Sequence, residues 1–368
     1  MAAYLITFLL FGLYLIVIPV GISPFESPKV ILAEIVINIL LLIKIIRFRK
    51  FDLKHFINSQ LVFIGILFLL SLDTQLLFHP TDAFFGNLFR LQGQFLFWNL
   101  LLFSFISKDI KLNKIPKFYY HLSFICLLLG TVILGVNENK RAFGTLGEPN
   151  ALASTSLFLF PFVWFHSKSL IRLILLTGTL LIILLSGSRA GLIGFLIQII
   201  FIALSWKTSF GKLSRIVVIC AVLISLSVSL PFIENKGWFE NRSEIWTTSF
   251  KAGLNSPFIG QGFGNIAGVI HQTAVKLNNN VRFQVVDSSH NFLLDFWIQG
   301  GFVGVVCILM LIGLSIHGLV QSKRLLELTA FLGIITAMLF NPVSVVNLLA
   351  FWWLIGQGFV IDKHHSIS

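Results

Sequence analysis

Pro231-Phe-Ile-Glu-Asn-Lys-Gly-Trp-Phe-Glu-Asn-Arg-Ser-Glu-Ile-Trp246 opens a polar stretch that continues through Gly260-Gln-Gly-Phe-Gly-Asn265 and closes at Asp287-Ser-Ser-His-Asn291. It is the only long segment of the chain too polar for a lipid bilayer. The sequence on both sides is apolar. Of 368 residues, 56% are hydrophobic, 14% aromatic and only 11% charged, and mean hydropathy is +0.91. Soluble domains carry about 25% charged residues. A deficit of this size, spread along the chain, makes lipid the expected solvent.

The expected fold class is therefore an all-α polytopic membrane protein. A bilayer core of ~30 Å takes about 20 apolar residues per helix. Twelve candidate spans fit: 3–20, 29–46, 57–72, 88–106, 117–136, 150–166, 170–186, 190–206, 213–231, 291–319, 325–340 and 345–362. Segment 291–319 is long enough to tilt or to emerge from the membrane. Residues 1–368 read as one integral membrane domain, with 232–290 as its long external loop containing short helices. The first apolar segment has no basic leader and no small-residue cleavage site, so it reads as a retained helix. Cys126, Cys220 and Cys307 all lie in apolar segments and offer no disulfide or metal spacing.

The net charge of +12 would suit nucleic acid, but its placement argues against that partner. Basic residues collect in alternate loops, at Lys44–Lys54, Lys108–Lys117, Lys168–Arg172, Lys207–Arg215, Lys323–Arg324 and Lys363. With twelve spans, these loops share one side. The positive-inside rule makes that side cytoplasmic, with both termini inside.

Arginines on the opposite face break this trend and are the functional candidates. Ser186-Gly-Ser-Arg-Ala-Gly191 puts Arg189 at a turn between two spans, with Gly187 and Gly191 allowing close helix approach. A guanidinium there needs a partner, and phosphate fits its fork. Arg141 precedes a turn fixed by Gly144, Gly147 and Pro149, after which Asn150 can cap a helix. Asn241-Arg242-Ser243-Glu244 has the form of a helix start with a capping box. Trp246, Phe250 and Leu254 follow at helical spacing with Arg242 one turn earlier, a stripe that also suits a plain interfacial helix. The Gly260–Gly264 run reads as tight turns and close backbone approach, since no strand precedes it as a dinucleotide fingerprint requires.

Ser288 or Ser289 can cap the helix after the loop. His290 would then lie in its first turn, where the dipole favours the neutral imidazole that a general base requires. A capping or interfacial histidine is the plainer alternative. Asp295, one turn on, is an intramembrane carboxylate that can pair with an arginine such as Arg189. Arg90 is a further cation on this face; snorkelling to lipid headgroups is its simpler reading. No HExxH motif or carboxylate–histidine spacing suggests a metal.

Arg141 with Pro149-Asn150, Ser188-Arg189-Ala190-Gly191, Arg242 with Trp246, Pro257 with Gly260-Gln-Gly262, and His290-Asn291 with Gly300-Gly301 form an ordered set. This set resembles the O-antigen ligase and O-antigen polymerase superfamily of bacterial polytopic glycosyltransferases. The resemblance is concentrated in residues 140–305. It implies a GT-C-like membrane fold and transfer of a glycan from an undecaprenyl-pyrophosphate carrier at the external face of the inner membrane. It also implies no metal or cofactor, and a glycan, lipid or protein hydroxyl as acceptor. By motif, Arg189 and Arg242 would hold the pyrophosphate and His290 would act as base, with Arg141 as helper. Arg90, Asn150, Asn291 and Asp295 are further candidates for substrate contact. A transporter or flippase for a lipid-linked glycan or anionic solute is the competing class, and a non-catalytic envelope scaffold a third.

Overall fold

A computed structural model describes residues 1–19, 23–47, 59–77, 80–108, 110, 112, 115–137, 140–205, 237–284 and 286–359. The candidate span 213–231, the loop up to residue 236, Cys220, and the basic residues at 207–215 and 363 lie outside them. The described chain is helical, with α1 (Ala2–Phe11), α2 (Ser27–Arg47), α3 (Ser59–Leu77), α4 (Pro80–Phe85), α5 (Gln94–Ser107), α6 (Phe118–Ile133) and α7 (Pro149–Phe165). Then come α8 (Ser169–Ser186), α9 (Arg189–Ser205), α10 (Gly237–Gly253), α11 (Ile266–Leu277), α12 (Phe292–Gln321), α13 (Leu325–Met338) and α14 (Val345–Gln357).

Most of these helices match the expected spans closely, but two depart. The first helix stops at Phe11, and Gly12 leads into a 3-10 turn at Leu13–Leu15. The helix expected from residue 88 starts only at Gln94, because Gly86 and Gly93 pack backbone to backbone. A Cβ on Gly93 would lie 2.3 Å from the Gly86 nitrogen. Among the described residues, α12 alone is long and apolar enough to cross a membrane by itself; the apolar stretches of the other helices, such as Gln60–Leu72 and Leu170–Ser186, run 10–17 residues. Their lengths do not reproduce twelve full crossings.

The packing is nonetheless compatible with lipid. Helix α7 is buried from Ala151 to Trp164 and α14 from Val345 to Gln357 except Leu348, so both are central. Around them, α2, α6 and α8 turn large apolar side chains outward, among them Ile35, Leu42, Ile125, Ile133, Leu170 and Ile174. Helices apolar on both their inner and outer faces have no use for water. Polar residues sit between helices instead. Gln198 on α9 donates to the carbonyls of Leu157 on α7 at 2.8 Å and Thr329 on α13 at 3.0 Å. Thr155 on α7 meets Asn347 on α14 at 3.3 Å. Such bonds hold helices together where hydrophobicity cannot.

Helix α12 is broken at Gly301, where φ is 57° and ψ −154°. The glycine loop fills the break. Gln261 and Gly262 donate backbone N–H to the carbonyls of Ile298 and Gln299 at 2.7 and 2.9 Å. In return, Phe302 and Val303 donate to Pro257 and Phe258 at 2.7 and 3.1 Å. Two carbonyls and two N–H groups beside the kink thus find partners in the loop. The close approach expected of the Gly260 run is what occurs. A Cβ on Gly260 would lie 2.3 Å from the Gln299 carbonyl, and φ there is +77°. Gly260→Ala is expected to cost about 1–3 kcal/mol, read as a lowered thermal midpoint in detergent. An unchanged midpoint would mean that the loop is not seated in the kink.

Candidate functional site

Helices α2, α5, α7, α9, α12 and α14 all begin at one end of the bundle, where their first residues are linked by the contacts below. Six N-termini bring partial positive charge to one place. The cationic side chains add to it. Arg189 is the first residue of α9, behind Ser188, whose Oγ accepts from the Gly191 N–H at 3.2 Å. Gly187 ends α8 in the left-handed region with φ +60°, and the Arg141 side chain lies across it. Arg141 donates from Nε to the Ser186 carbonyl at 2.7 Å and from Nη2 to Asn150 Oδ1 at 2.9 Å. Asn150 is therefore not the cap of α7. Glu148 takes that position, with Pro149 at N1.

Arg242 lies inside α10, which starts at Gly237 and not at Asn241. Glu244 does not close a capping box; its carboxylate accepts the N–H of Asn280 at 2.9 Å. The expected stripe forms as far as Phe250, and Leu254 lies past the end of α10. Arg242 donates to the Phe340 carbonyl at 2.7 Å, Trp246 packs on the Phe340 ring, and Phe250 stacks on Trp297 of α12. Burial, then the nearby positive charge of Arg189, pushes the Arg242 guanidinium below its ordinary range. Burial lowers Arg141 too, Glu148 opposing and Arg242 reinforcing it. The three arginines thus form one cationic group drawn from three parts of the chain.

His290 departs from its expected place. The cap of α12 is Asn291, whose Oδ1 accepts from the N–H groups of Leu293 and Leu294 at 3.0 and 3.2 Å. His290 stands one residue before the cap, in a left-handed conformation with φ +58°. Ser289 is not the cap because its side chain serves the turn itself, donating to the Asn291 carbonyl at 2.6 Å. The Asp295 carboxylate accepts the Ser289 N–H at 2.8 Å, so its contact is this turn and not Arg189. The imidazole is neutral for a different reason from the one expected. Burial, above all, lowers His290 to about 4; Asp287 opposes this and Arg242 and Arg90 reinforce it.

Arg90 is not a snorkelling residue. Its side chain is 11% exposed and forms ion pairs with Glu148, at 3.5 Å, and with Asp287. It also donates to the Val343 carbonyl at 3.2 Å. Glu26 is close by and accepts the Val345 N–H at the start of α14 at 3.2 Å. Burial pushes the Glu26 carboxyl up, with Arg90 the main opposing charge. Burial also raises Glu148 to about 7, against Arg90 and with Glu26 and Asp287. One arginine thus ties the loops that lead into α7, α12 and α14. Removing one partner of such a group strands buried charge, so Arg90→Ala is expected to cost about 3–5 kcal/mol. A thermal midpoint equal to wild type would rule out the clamp.

Glu26, Glu148 and Asp287 were not candidates from the motifs. One signal was available. Only 15 acidic residues occur in the chain, and each of these three sits just ahead of an apolar helix. Among the described residues, no group of three His, Cys, Asp or Glu has the arrangement to hold a metal ion.

Next to the clamp lies a cavity of about 630 Å3, bordered by Arg90, Asp287, Ser288 and Asp295 and running down between α5, α12 and α14. Arg141, Arg189, Arg242 and His290 do not line it.

A family model described as O-antigen ligase matches residues 173–309. The resemblance is thereby shown over α8 to the first part of α12, a segment that contains Arg189, Arg242 and His290 but neither Arg90 nor Arg141. A ComP-specific O-oligosaccharyltransferase of Acinetobacter baylyi (strain ATCC 33305 / BD413 / ADP1) is 23% identical over 193 residues. The alignment covers 47% of this chain and 35% of that protein, so it spans about a third of the relative's length.

Proposed function

We propose that this protein is a membrane glycosyltransferase that moves a glycan from an undecaprenyl-pyrophosphate carrier to an acceptor hydroxyl. The supporting observation is the meeting of Arg189, Arg242 and Arg141 with His290 at one end of the bundle, at the start of α9. A helix N-terminus with several guanidinium groups suits a pyrophosphate. In the proposed reaction, His290 removes the proton of the acceptor hydroxyl as its oxygen bonds to the anomeric carbon. The bond from that carbon to the pyrophosphate oxygen breaks, and Arg189 and Arg242 stabilise the charge on the departing carrier. His290, at about 4 without ligand, is a weak base, and the arriving dianionic pyrophosphate raises its proton affinity toward neutrality. The matched family segment and the named activity of the Acinetobacter protein agree with this reading.

The same reading puts the chain in the inner membrane as a single GT-C-like domain of about twelve spans. Both termini are cytoplasmic, and loop 232–290 lies outside, over the site. The chemistry needs no metal, because the arginines supply the countercharge. The test is to incubate purified protein with the lipid-linked glycan and candidate acceptors, with and without a chelator. Release of the carrier and a new glycosidic bond, both surviving chelation, are expected. The break in α12 also fits a transporter. Movement of the lipid-linked glycan across vesicles without any covalent transfer would favour that reading and sink the transferase.

A further inference from the structure

The turn between α13 and α14, residues 339–344, lies beyond the family-matched segment. It is unlike an ordinary connection. Loops run over the surface because their backbone groups need partners, yet Asn341, Pro342, Val343 and Ser344 are all buried. Their partners come from four other parts of the chain. Arg242 on α10 donates to the Phe340 carbonyl at 2.7 Å, and Trp246 packs on the Phe340 ring. Asn341, 2% exposed, reaches from Nδ2 to Ser188 Oγ at the start of α9, at 3.5 Å. Arg90 and Gln92 donate to the Val343 carbonyl at 3.2 and 2.9 Å. Glu26 accepts the N–H of Val345, the next residue on, at 3.2 Å. The first half of the turn thus meets the helices that carry Arg189 and Arg242, and the second half is held by the Arg90 clamp.

The helix leading into the turn is fixed against α9. Gly333 on α13 leaves room for Gln198 on α9, since a Cβ there would lie 2.3 Å from Gln198 Nε2. A Cβ on Gly194 of α9 would lie 3.3 Å from the Gly333 carbonyl oxygen. Arg189 and Arg242 are near enough for their charges to interact. Like charges do not hold one another in place, so their spacing has to come from neutral groups. We infer that the α13–α14 turn sets that spacing, and that Asn341 is a positioning residue that braces the Phe340 carbonyl, and Arg242 on it, against the first turn of α9. This rests on the transferase reading above, in which one pyrophosphate meets both guanidinium groups. Paired contacts of that kind depend on geometry as well as charge.

The test measures binding and needs no acceptor. The full chain in lipid nanodiscs is titrated with radiolabelled undecaprenyl pyrophosphate, comparing wild type, Asn341→Ala, Arg242→Ala and the double variant. Asn341→Ala is expected to weaken binding about tenfold, as for a small misplacement of a binding group. In the Arg242→Ala background the same change should cost nothing further, within about twofold, because the residue it positions is gone. A merely structural asparagine would cost the same in both backgrounds, and that result overturns the proposal. So does wild-type affinity in Asn341→Ala. Thermal midpoints in the same nanodiscs are the control. If Asn341→Ala does not fold, Asn341→Ser takes its place in the cycle: it keeps a polar group in the buried turn but is too short to reach Ser188. In the transfer assay, donor KM should rise in the folded variant while acceptor KM stays as in wild type; the reverse split contradicts the assignment. If wild type neither binds the carrier nor transfers glycan, the transferase reading fails and the brace with it. If wild type does both and the Asn341 variants match it, only the brace fails.

Discussion

His290→Ala is expected to lower the rate of glycan transfer by about 10²–10⁴, the usual contribution of a positioned base. Folding should be unaffected, since the turn is held by Asp295, Ser289 and the Asn291 cap and not by the imidazole. Thermal unfolding of the variant is the control. A pH series carries the sharper information. In the free protein, burial keeps His290 neutral down to about 4, so the acid limb of kcat/KM belongs near that pH and not near 6.5. Once the anionic donor is bound, the limb in kcat moves upward. Stability runs with the same sign. Between the unfolded value of about 6.5 and about 4, the unfolded chain takes a proton that the native imidazole refuses. Acidification through that window therefore removes stability, and His290→Gln abolishes this part of the loss. Equal product from wild type and His290→Ala would end the base assignment.

Arg189→Ala and Arg242→Ala are each expected to reduce kcat by about 10²–10³, as for loss of one preorganised group facing developing charge. The two guanidinium groups are close enough for each to feel the other's charge. A bound anion would face both charges at once. Their effects should thus be non-additive in a double mutant. Lysine should rescue either only in part, because an ammonium does not reproduce a bidentate fork. Arg141→Ala should cost less than either, since in this reading Arg141 is a helper, its Nε and Nη2 holding the Ser186 carbonyl and Asn150. Full kcat in Arg189→Ala, with donor binding measured separately and unchanged, would remove the arginines from the chemistry.

Much of the candidate site was legible because its residues violate local expectations for a membrane chain. An arginine in Ser186–Gly191 and one beside Trp246 are costly in lipid, and that cost marks them. Asn150 and Asn291 were recognisable as polar residues at helix starts, although only Asn291 caps its helix. His290 reads from the sequence as part of the first turn of α12, two or three positions too far in, because Ser288 and Ser289 resemble caps as much as Asn291 does; the folded turn distinguishes them, with the Ser289 hydroxyl spent on the Asn291 carbonyl and Asn291 Oδ1 accepting from Leu293 and Leu294. The kink at Gly301 was hidden for a related reason. A Gly-Gly pair is tolerated in a membrane helix, and it breaks here because the Gly260 loop arrives to satisfy the freed carbonyls.

Composition and hydropathy suffice for a helical, lipid-adapted chain, because the cost of placing charge or unpaired backbone in hydrocarbon acts on each segment separately. The same logic singles out the misplaced arginines and the polar stretch from Pro231 to Asn291. Partnership is another matter. Arg90 could equally well have met lipid phosphates. Packing instead brings the ends of α2, α7, α12 and α14 together and closes it among Glu148, Asp287 and Glu26. The ion partner of a buried charge depends on which helix ends meet, and no local pattern of residues carries that information.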